Sequence, residues 1–156
     1  MTETKNVAND FVVSQKTADN MLKEKTTDDD ILDDLIDDEF IKSLKAASKE
    51  RSAFIRDVAK RCAVQAGKKL GLNKVILFGS AARGTATRDS DMDLIVVWDT
   101  TLRFSDRVGR LLPYFSEFDG DIDIFPLTPE EFELWGKRAP SNKEKVLNEG
   151  VVLYER

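Results

Sequence analysis

The amino-acid sequence predicts an α/β (α+β) protein in which one layer of strands carries helices on one face. Three short apolar segments, at residues 74–78, 92–98 and 122–125, have the length and composition of buried strands. Helical patterns alternate with them along the chain, and this order is typical of a layered sheet-and-helix domain. With 156 residues, the chain has room for one such domain and a tail.

The first half of the chain has an uneven distribution of charge. Residues 28–39 include eight acidic, four apolar and no basic residues, whereas residues 41–74 include ten basic and two acidic residues, a net charge of +8. Apolar spacings of three and four predict an acidic amphipathic helix beginning at Thr27, followed by a basic helix ending at Gly67 or Gly71. We expect a mobile tail over residues 1–27, helices over residues 28 to about 70, and a compact α/β body over residues 74–156.

The second half of the chain has clear signals for the ends of its elements. Gly79 ends the first strand, and apolar spacing predicts a helix over residues 108–115. Residues 128–131 (TPEE) form a capping box with proline at the first helical position, and residues 141–144 repeat the box. Gly150 ends that last helix, and residues 151–154 are predicted to form an edge strand.

Composition excludes several classes of protein and of site. No apolar segment approaches the roughly 18 residues of a membrane span, and the N-terminus has no secretory signal, so we expect a cytoplasmic protein. The single cysteine, Cys62, is expected to be a buried thiol in a reducing compartment. Because the chain has no histidine, Ser–His, Cys–His and histidine–metal chemistry are excluded. A net charge of −5 argues against extensive nucleic-acid binding.

Two short motifs around the first two strands point to phosphate and metal chemistry. Gly79 and Ser80 follow a strand and lead into a turn of small residues, whose backbone amides can converge on a phosphate. Ten residues later, Asp91 and Asp93 enter the second strand two positions apart, so both carboxylates face the same side. Their mutual repulsion favours a bound cation, and Mg²⁺ prefers such oxygen ligands together with substrate phosphates.

A third acidic residue can join this pair from the next strand. Residues 121–125 (DIDIF) alternate between acidic and apolar residues, so that Asp123 or its rival Asp121 can lie beside the first two carboxylates. Three carboxylates on neighbouring strands, next to a phosphate-binding turn, suit a two-metal phosphoryl or nucleotidyl transfer site.

The combined signature resembles that of the DNA polymerase β-type nucleotidyltransferase superfamily. The string FGSAARGTATRDSDMDLIV, with the later FPLTPEEFE and EGVVLYER, is most similar to the minimal nucleotidyltransferases (MNT), small prokaryotic proteins often encoded beside HEPN-domain toxins. The resemblance covers about residues 55–156 and implies a polymerase β-like nucleotidyltransferase fold with a small mixed sheet. Residues 1–50 lie outside it, so we expect an N-terminal extension at 1–50, made of the mobile tail and the acidic helix, and a nucleotidyltransferase domain at 51–156.

The resemblance also implies roles for individual residues. Asp91 and Asp93 would hold two Mg²⁺ ions, and Gly79 and Ser80 would hold the β- and γ-phosphates of ATP. Asp123, which we prefer to Asp121 because it lies between two isoleucines, would bind the metal on the nucleophile's side and help to deprotonate the attacking hydroxyl. Arg83 in the turn would pair with phosphate or with an acid of the site.

By the same resemblance, the expected reaction is transfer of AMP from ATP to an acceptor hydroxyl, with release of pyrophosphate. In the MNT group the acceptor is commonly a tyrosine of the cognate HEPN ribonuclease toxin, which implies an antitoxin that acts by adenylylation. A second hypothesis is a non-catalytic antitoxin or regulator that binds its partner through residues 28–40. A third hypothesis, which we favour less, is nucleotidyl transfer to an RNA end contacted by residues 41–74, or to a small molecule.

Overall fold

A computed structural model describes residues 38–156, which form four strands, five α-helices and one 3-10 helix. Strand β1 pairs antiparallel with β2 and with β4, while β2 and β3 are parallel, giving the order β3-β2-β1-β4. The predicted mixed α/β class with a small mixed sheet is therefore confirmed, and β4 lies at an edge as expected. The elements are α1 (Asp38–Leu70), β1 (Lys74–Phe78), α2 (Gly79–Arg83), β2 (Met92–Val97), α3 (Phe104–Leu111), the 3-10 helix (Leu112–Phe115), β3 (Ile122–Leu127), α4 (Pro129–Arg138), α5 (Pro140–Glu149) and β4 (Val151–Glu155).

Helices cover both faces of this sheet, where the sequence led us to expect them on one. On the first face, buried strand residues such as Leu77 and Leu94 pack in one core with the part of α1 that follows Ser52. On the second face, a smaller cluster of Ile76, Ile95 and Val97 packs against side chains of α4 and α5. Helices α4 and α5 contain no fully buried residue and contribute only Phe132, Trp135 and Val146 to this layer, so little in their sequence indicated that they cover a second face.

Helix α1 is one continuous helix in place of the two predicted. No glycine or proline interrupts it between Asp38 and Ala66, and the reversal of charge near residue 40 does not break a helix. It ends at Leu70, before Gly71 with φ of +71°, so the second of the two predicted ends is confirmed. The predicted start at Thr27 and the mobile tail lie outside the described residues. The domain boundary at residue 50 falls within α1 and stays a prediction.

Two further elements differ from their predicted lengths. Strand β3 runs two residues further than expected, because it pairs with β2 as far as Leu127. The helix expected over 108–115 is divided into α3 and the 3-10 helix, since Pro113 has no N–H with which to continue the α-helical ladder. In the part of the chain from residue 38 onward, no helix is both long and apolar enough to cross a membrane.

The first of the two predicted capping boxes is present and the second is absent. The Thr128 hydroxyl accepts from the Glu131 N–H at 3.2 Å, and the Glu131 carboxylate accepts from the Thr128 N–H at 2.8 Å. Helix α5 instead begins at Pro140, with Ala139 at its N-cap and no side-chain cap. Proline at the first helical position moves Ser141 into the first turn, where it cannot act as the cap.

Substitutions of Thr128 and Ser141 offer a direct test of the capping assignment. Thr128→Ala removes an acceptor from an N-cap and should lower the free energy of unfolding by about 1 kcal/mol. Ser141→Ala removes a hydroxyl that caps nothing, so its effect should stay within about 0.5 kcal/mol. Urea denaturation of both variants measures the difference. Equal losses would contradict the assignment.

Candidate active site

The sheet places Asp93 and Asp123 side by side. In the parallel pairing of β2 with β3, Asp93 is the register partner of Asp123, and in the antiparallel pairing of β1 with β2 it is the partner of Phe78. These three residues form a row across the sheet at the beginning of β2 and β3. Because alternate strand residues share a face, Asp93 lies on the same face as Ile95 and Val97, that of α4 and α5.

The Asp93 carboxyl group is in an environment that opposes its ionisation. Burial raises its pKa most, and the charges of Asp123 and Asp91 raise it further, while Arg83 acts in the opposite direction. An acidic group that is partly buried between other acidic groups is stabilised by a cation placed among them. A cation at this position would therefore favour the ionised form of Asp93.

The two other candidate carboxylates lie just before the strands. Asp91 is half-buried ahead of β2, and Asp121 is exposed ahead of β3, where its backbone carbonyl accepts from the Met92 N–H at 3.0 Å. The neighbouring charges that raise the pKa of Asp93 are those of Asp123 and Asp91, which favours Asp123 over its rival. Within residues 38–156, no three His, Cys, Asp or Glu side chains are arranged to hold a metal ion as they stand, so the three-ligand set stays a prediction.

Gly79 brings the turn after β1 against the Asp93 carboxylate. It has φ of +74°, and a Cβ at this position would overlap the Oδ2 atom of Asp93. Both the backbone conformation and the close approach require glycine. The predicted turn is the short helix α2, which Gly84 ends with φ of +82° and an N–H bond to the Ser80 carbonyl.

Two side chains of α1 that the sequence did not single out hold α2 and the following loop in place. Arg56 donates to the Ala81 carbonyl at 2.9 Å and to the Ala82 carbonyl at 2.6 Å. The buried Ser52 hydroxyl accepts from the Ala86 N–H at 3.0 Å. The position of Ser80, the predicted phosphate-binding hydroxyl, therefore depends on α1.

Arg83 extends from α2 towards α5. Its guanidinium lies 3.5 Å from the Glu149 carboxylate, and it also lowers the pKa of Asp93. Both members of this ion pair line a cavity of about 500 Å³ on the second face of the sheet. The cavity is lined by Phe78, Gly79, Arg83, Ile95, Phe125, Leu127, Trp135, Asn142, Lys145, Val146 and Glu149.

Four of these lining residues come from one face of α5, and sequence reasoning missed them. Asn142, Lys145, Val146 and Glu149 follow the three-and-four spacing of a helix face, which is the signal that could have found them. Their mixture of polar and apolar residues made that face resemble ordinary surface.

Comparisons with known proteins agree on the class of domain. The family model of the nucleotidyltransferase domain matches residues 57–153. A candidate protein adenylyltransferase of Methanocaldococcus jannaschii is 35% identical over 85 residues, which cover 53% of this chain and 79% of that protein.

Two solved structures are also similar. A candidate nucleotidyltransferase from Sulfolobus solfataricus has a TM-score of 0.50 and 21% identity, covering 70% of this chain and 88% of its own, and it shares the fold. A toxin–antitoxin structure with AMP-PNP has a TM-score of 0.47 and 24% identity, covering 62% of this chain and 73% of its own. Since the family model spans the strands that bear Asp93 and Asp123 together with the Gly79 turn, this chain belongs to the nucleotidyltransferase domain family and is a nucleotidyltransferase.

Proposed function

We propose that this nucleotidyltransferase transfers AMP from ATP, with Mg²⁺, to a tyrosine hydroxyl of a cognate HEPN-type ribonuclease toxin, and thereby acts as an antitoxin. The observation that carries the proposal is the row in which Asp93 lies next to Asp123 and against Gly79. The motif resemblance to the MNT group supports the toxin as acceptor. The name of the Methanocaldococcus jannaschii relative, a candidate protein adenylyltransferase, supports a protein acceptor.

The three carboxylates have the chemistry of ligands for the Mg²⁺ that the nucleotidyltransferase family implies. The pKa of Asp93 is raised by burial and by Asp123 and Asp91, so a divalent cation would relieve a repulsion already present in the free protein. Mg²⁺ takes only one or two protein carboxylates and completes its ligand set with water and substrate phosphates. Asp91, Asp93 and Asp123 would together hold two such ions, which when bound would offset charge on the phosphates and favour an ionised hydroxyl.

The chain's own groups account for the remaining parts of the transfer. The acceptor oxygen forms a bond to the α-phosphorus of ATP, and the bond from that phosphorus to the α,β-bridging oxygen breaks, so that pyrophosphate leaves. Asp123 would accept the hydroxyl proton and pass it to solvent. Ser80 and Arg83 would bind the departing phosphates. To do so, the Arg83 guanidinium would leave the Glu149 carboxylate and pair with a phosphate oxygen instead.

Intact mass spectrometry of the protein that co-purifies with this chain tests the proposal. After incubation with ATP and Mg²⁺, the partner should gain one or more AMP units, located on tyrosine by peptide fragmentation. Two matched variants test the choice of carboxylate: Asp123→Asn should abolish the gain, while Asp121→Asn should retain it.

Inhibition by binding and transfer to RNA would each give a different result in the same experiment. A stable complex with no gain of mass would contradict transfer to the partner and favour inhibition by binding. AMP found on co-purified RNA would contradict the protein acceptor. If Asp121→Asn alone lost activity, the assignment of the third carboxylate would be wrong.

A further inference from the structure

We infer that the cavity between the sheet and helices α4 and α5 binds the adenine base of the nucleotide, and that Asn142 reads the edge of that base. This inference rests on the proposed function, because it takes the phosphates of ATP to lie at Gly79, Ser80 and Arg83. It adds a subsite and a specificity-determining residue that the sequence motifs do not contain.

The cavity adjoins the residues that are proposed to bind the phosphates. Gly79 and Arg83 line it, and so does Phe78, the register partner of Asp93. Its floor continues along the same face of the sheet through Ile95 and Phe125, each two positions after a carboxylate of the row. Two strand residues span about 6.6 Å. A nucleotide with its α-phosphate at the carboxylates therefore has its base within reach of this floor.

The lining of the cavity suits a flat aromatic ring. Phe78 and Phe125 lie with ring centroids 5.9 Å apart, and Trp135 faces the cavity from α4. Phe125 is 45% exposed, so its ring is accessible to a ligand in the cavity. Stacking of a base on such rings contributes about 1–3 kcal/mol per base. The volume of about 500 Å³ is that of a small-molecule site.

One polar side chain at this cavity has the chemistry that distinguishes adenine from other bases. Asn142, an exposed residue in the first half of α5, lines the cavity. An asparagine amide offers one acceptor and one donor, and it pairs in a bidentate manner with the exocyclic amine and a ring nitrogen of adenine. Guanine presents an oxygen where adenine presents the amine, so the same amide would discriminate against GTP.

Binding measurements that separate the base from the phosphates test this inference. Calorimetry with Mg²⁺ would compare ATP, GTP and inorganic tripolyphosphate on the full chain. Trp135→Ala should weaken ATP binding about tenfold or more by loss of stacking, and Asn142→Ala should weaken ATP binding and reduce the preference for ATP over GTP. Neither variant should change tripolyphosphate affinity.

Matched controls come from the same helices. Asn148→Ala also removes an exposed asparagine amide from α5, and Leu134→Ala truncates an exposed residue of α4, yet neither residue lines the cavity. Both should bind ATP as the wild type does. Because Trp135 also packs against Phe132, the surface variant Asn142→Ala keeps the test independent of folding.

Each contrary outcome overturns a different statement. If both cavity variants bind ATP normally but fail to modify the partner, the cavity holds the acceptor's side chain and the base lies elsewhere. If ATP affinity and nucleotide preference are unchanged and transfer is normal, the cavity has no role in the reaction. If the wild type binds neither ATP nor tripolyphosphate, the proposed function fails, whatever the cavity variants do.

Discussion

Asp93→Asn will abolish nucleotidyl transfer and at the same time make the metal-free protein more stable at neutral pH. The loss of activity follows from removing the carboxylate at the centre of the row, since metal-held charge contributes several kcal/mol to transition-state stabilisation. We expect a decrease in kcat of about 1,000-fold or more. Transfer of radiolabelled AMP measures it.

The gain in stability follows from the direction of the pKa shift. Burial and the charges of Asp123 and Asp91 raise the pKa of Asp93, so the folded protein holds this proton to a higher pH than the unfolded chain does. Ionisation then lowers the free energy of unfolding as pH rises above the ordinary range of an aspartate. Asparagine carries no such charge. The advantage of the variant should therefore be present at pH 7 and shrink in acidic buffer.

The matched control is Asp99→Asn, which changes an exposed aspartate just beyond the other end of β2. It should keep full activity and show no comparable gain in stability. Urea denaturation in the presence of a chelator, at pH 7 and in acidic buffer, gives the stability of each variant. Wild-type turnover by Asp93→Asn would refute the site, and a lower stability at pH 7 would refute the electrostatic argument.

Gly79→Ala will destabilise the protein and inactivate it, although it adds only one methyl group. The positive φ of Gly79 costs an alanine about 1–3 kcal/mol, and its Cβ would in addition overlap the Asp93 carboxylate. Either the turn or the carboxylate must move. A displacement of about 1 Å at a reacting centre can reduce activity about 100-fold. Thermal unfolding and the AMP-transfer assay measure the two effects.

Gly109→Ala is the natural comparison for this substitution. Gly109 lies within α3 at a negative φ, and a Cβ there would meet nothing within 4 Å. Replacing a helical glycine by alanine should stabilise the protein by about 0.5–1 kcal/mol. If both alanine variants behaved alike, the special conformation and close packing of Gly79 would have no consequence.

The sequence predicted those features of the fold and the site that depend on residues close together in the chain. The Gly79 turn, Asp93 and Asp123 could be found because each is defined by its immediate neighbours, and strand alternation predicted that the acids could meet. Which carboxylates bind metal stays a prediction. The capping box of α4 was predicted for the same local reason, whereas that of α5 failed because Pro140 took the first helical position.

Features that depend on distant parts of the chain were not predicted. The ion pair between Arg83 and Glu149 joins residues 66 positions apart, and the sequence around either residue does not indicate its partner. Arg56 had the pattern of a solvated basic residue on α1, although it donates to two carbonyls of α2. Long side chains that pair with backbone carbonyls leave no periodic signal in the sequence.

The parallel pairing of β2 with β3 divides the chain into regions of unequal tolerance to insertion. The connection of residues 98–121 can change in length without altering which residues face each other, as long as the ladder forms. One residue added inside β3 ahead of Asp123 would instead turn its carboxylate from the side of Asp93 to the side of the core. Related chains should therefore differ in length between these strands and agree in length within them.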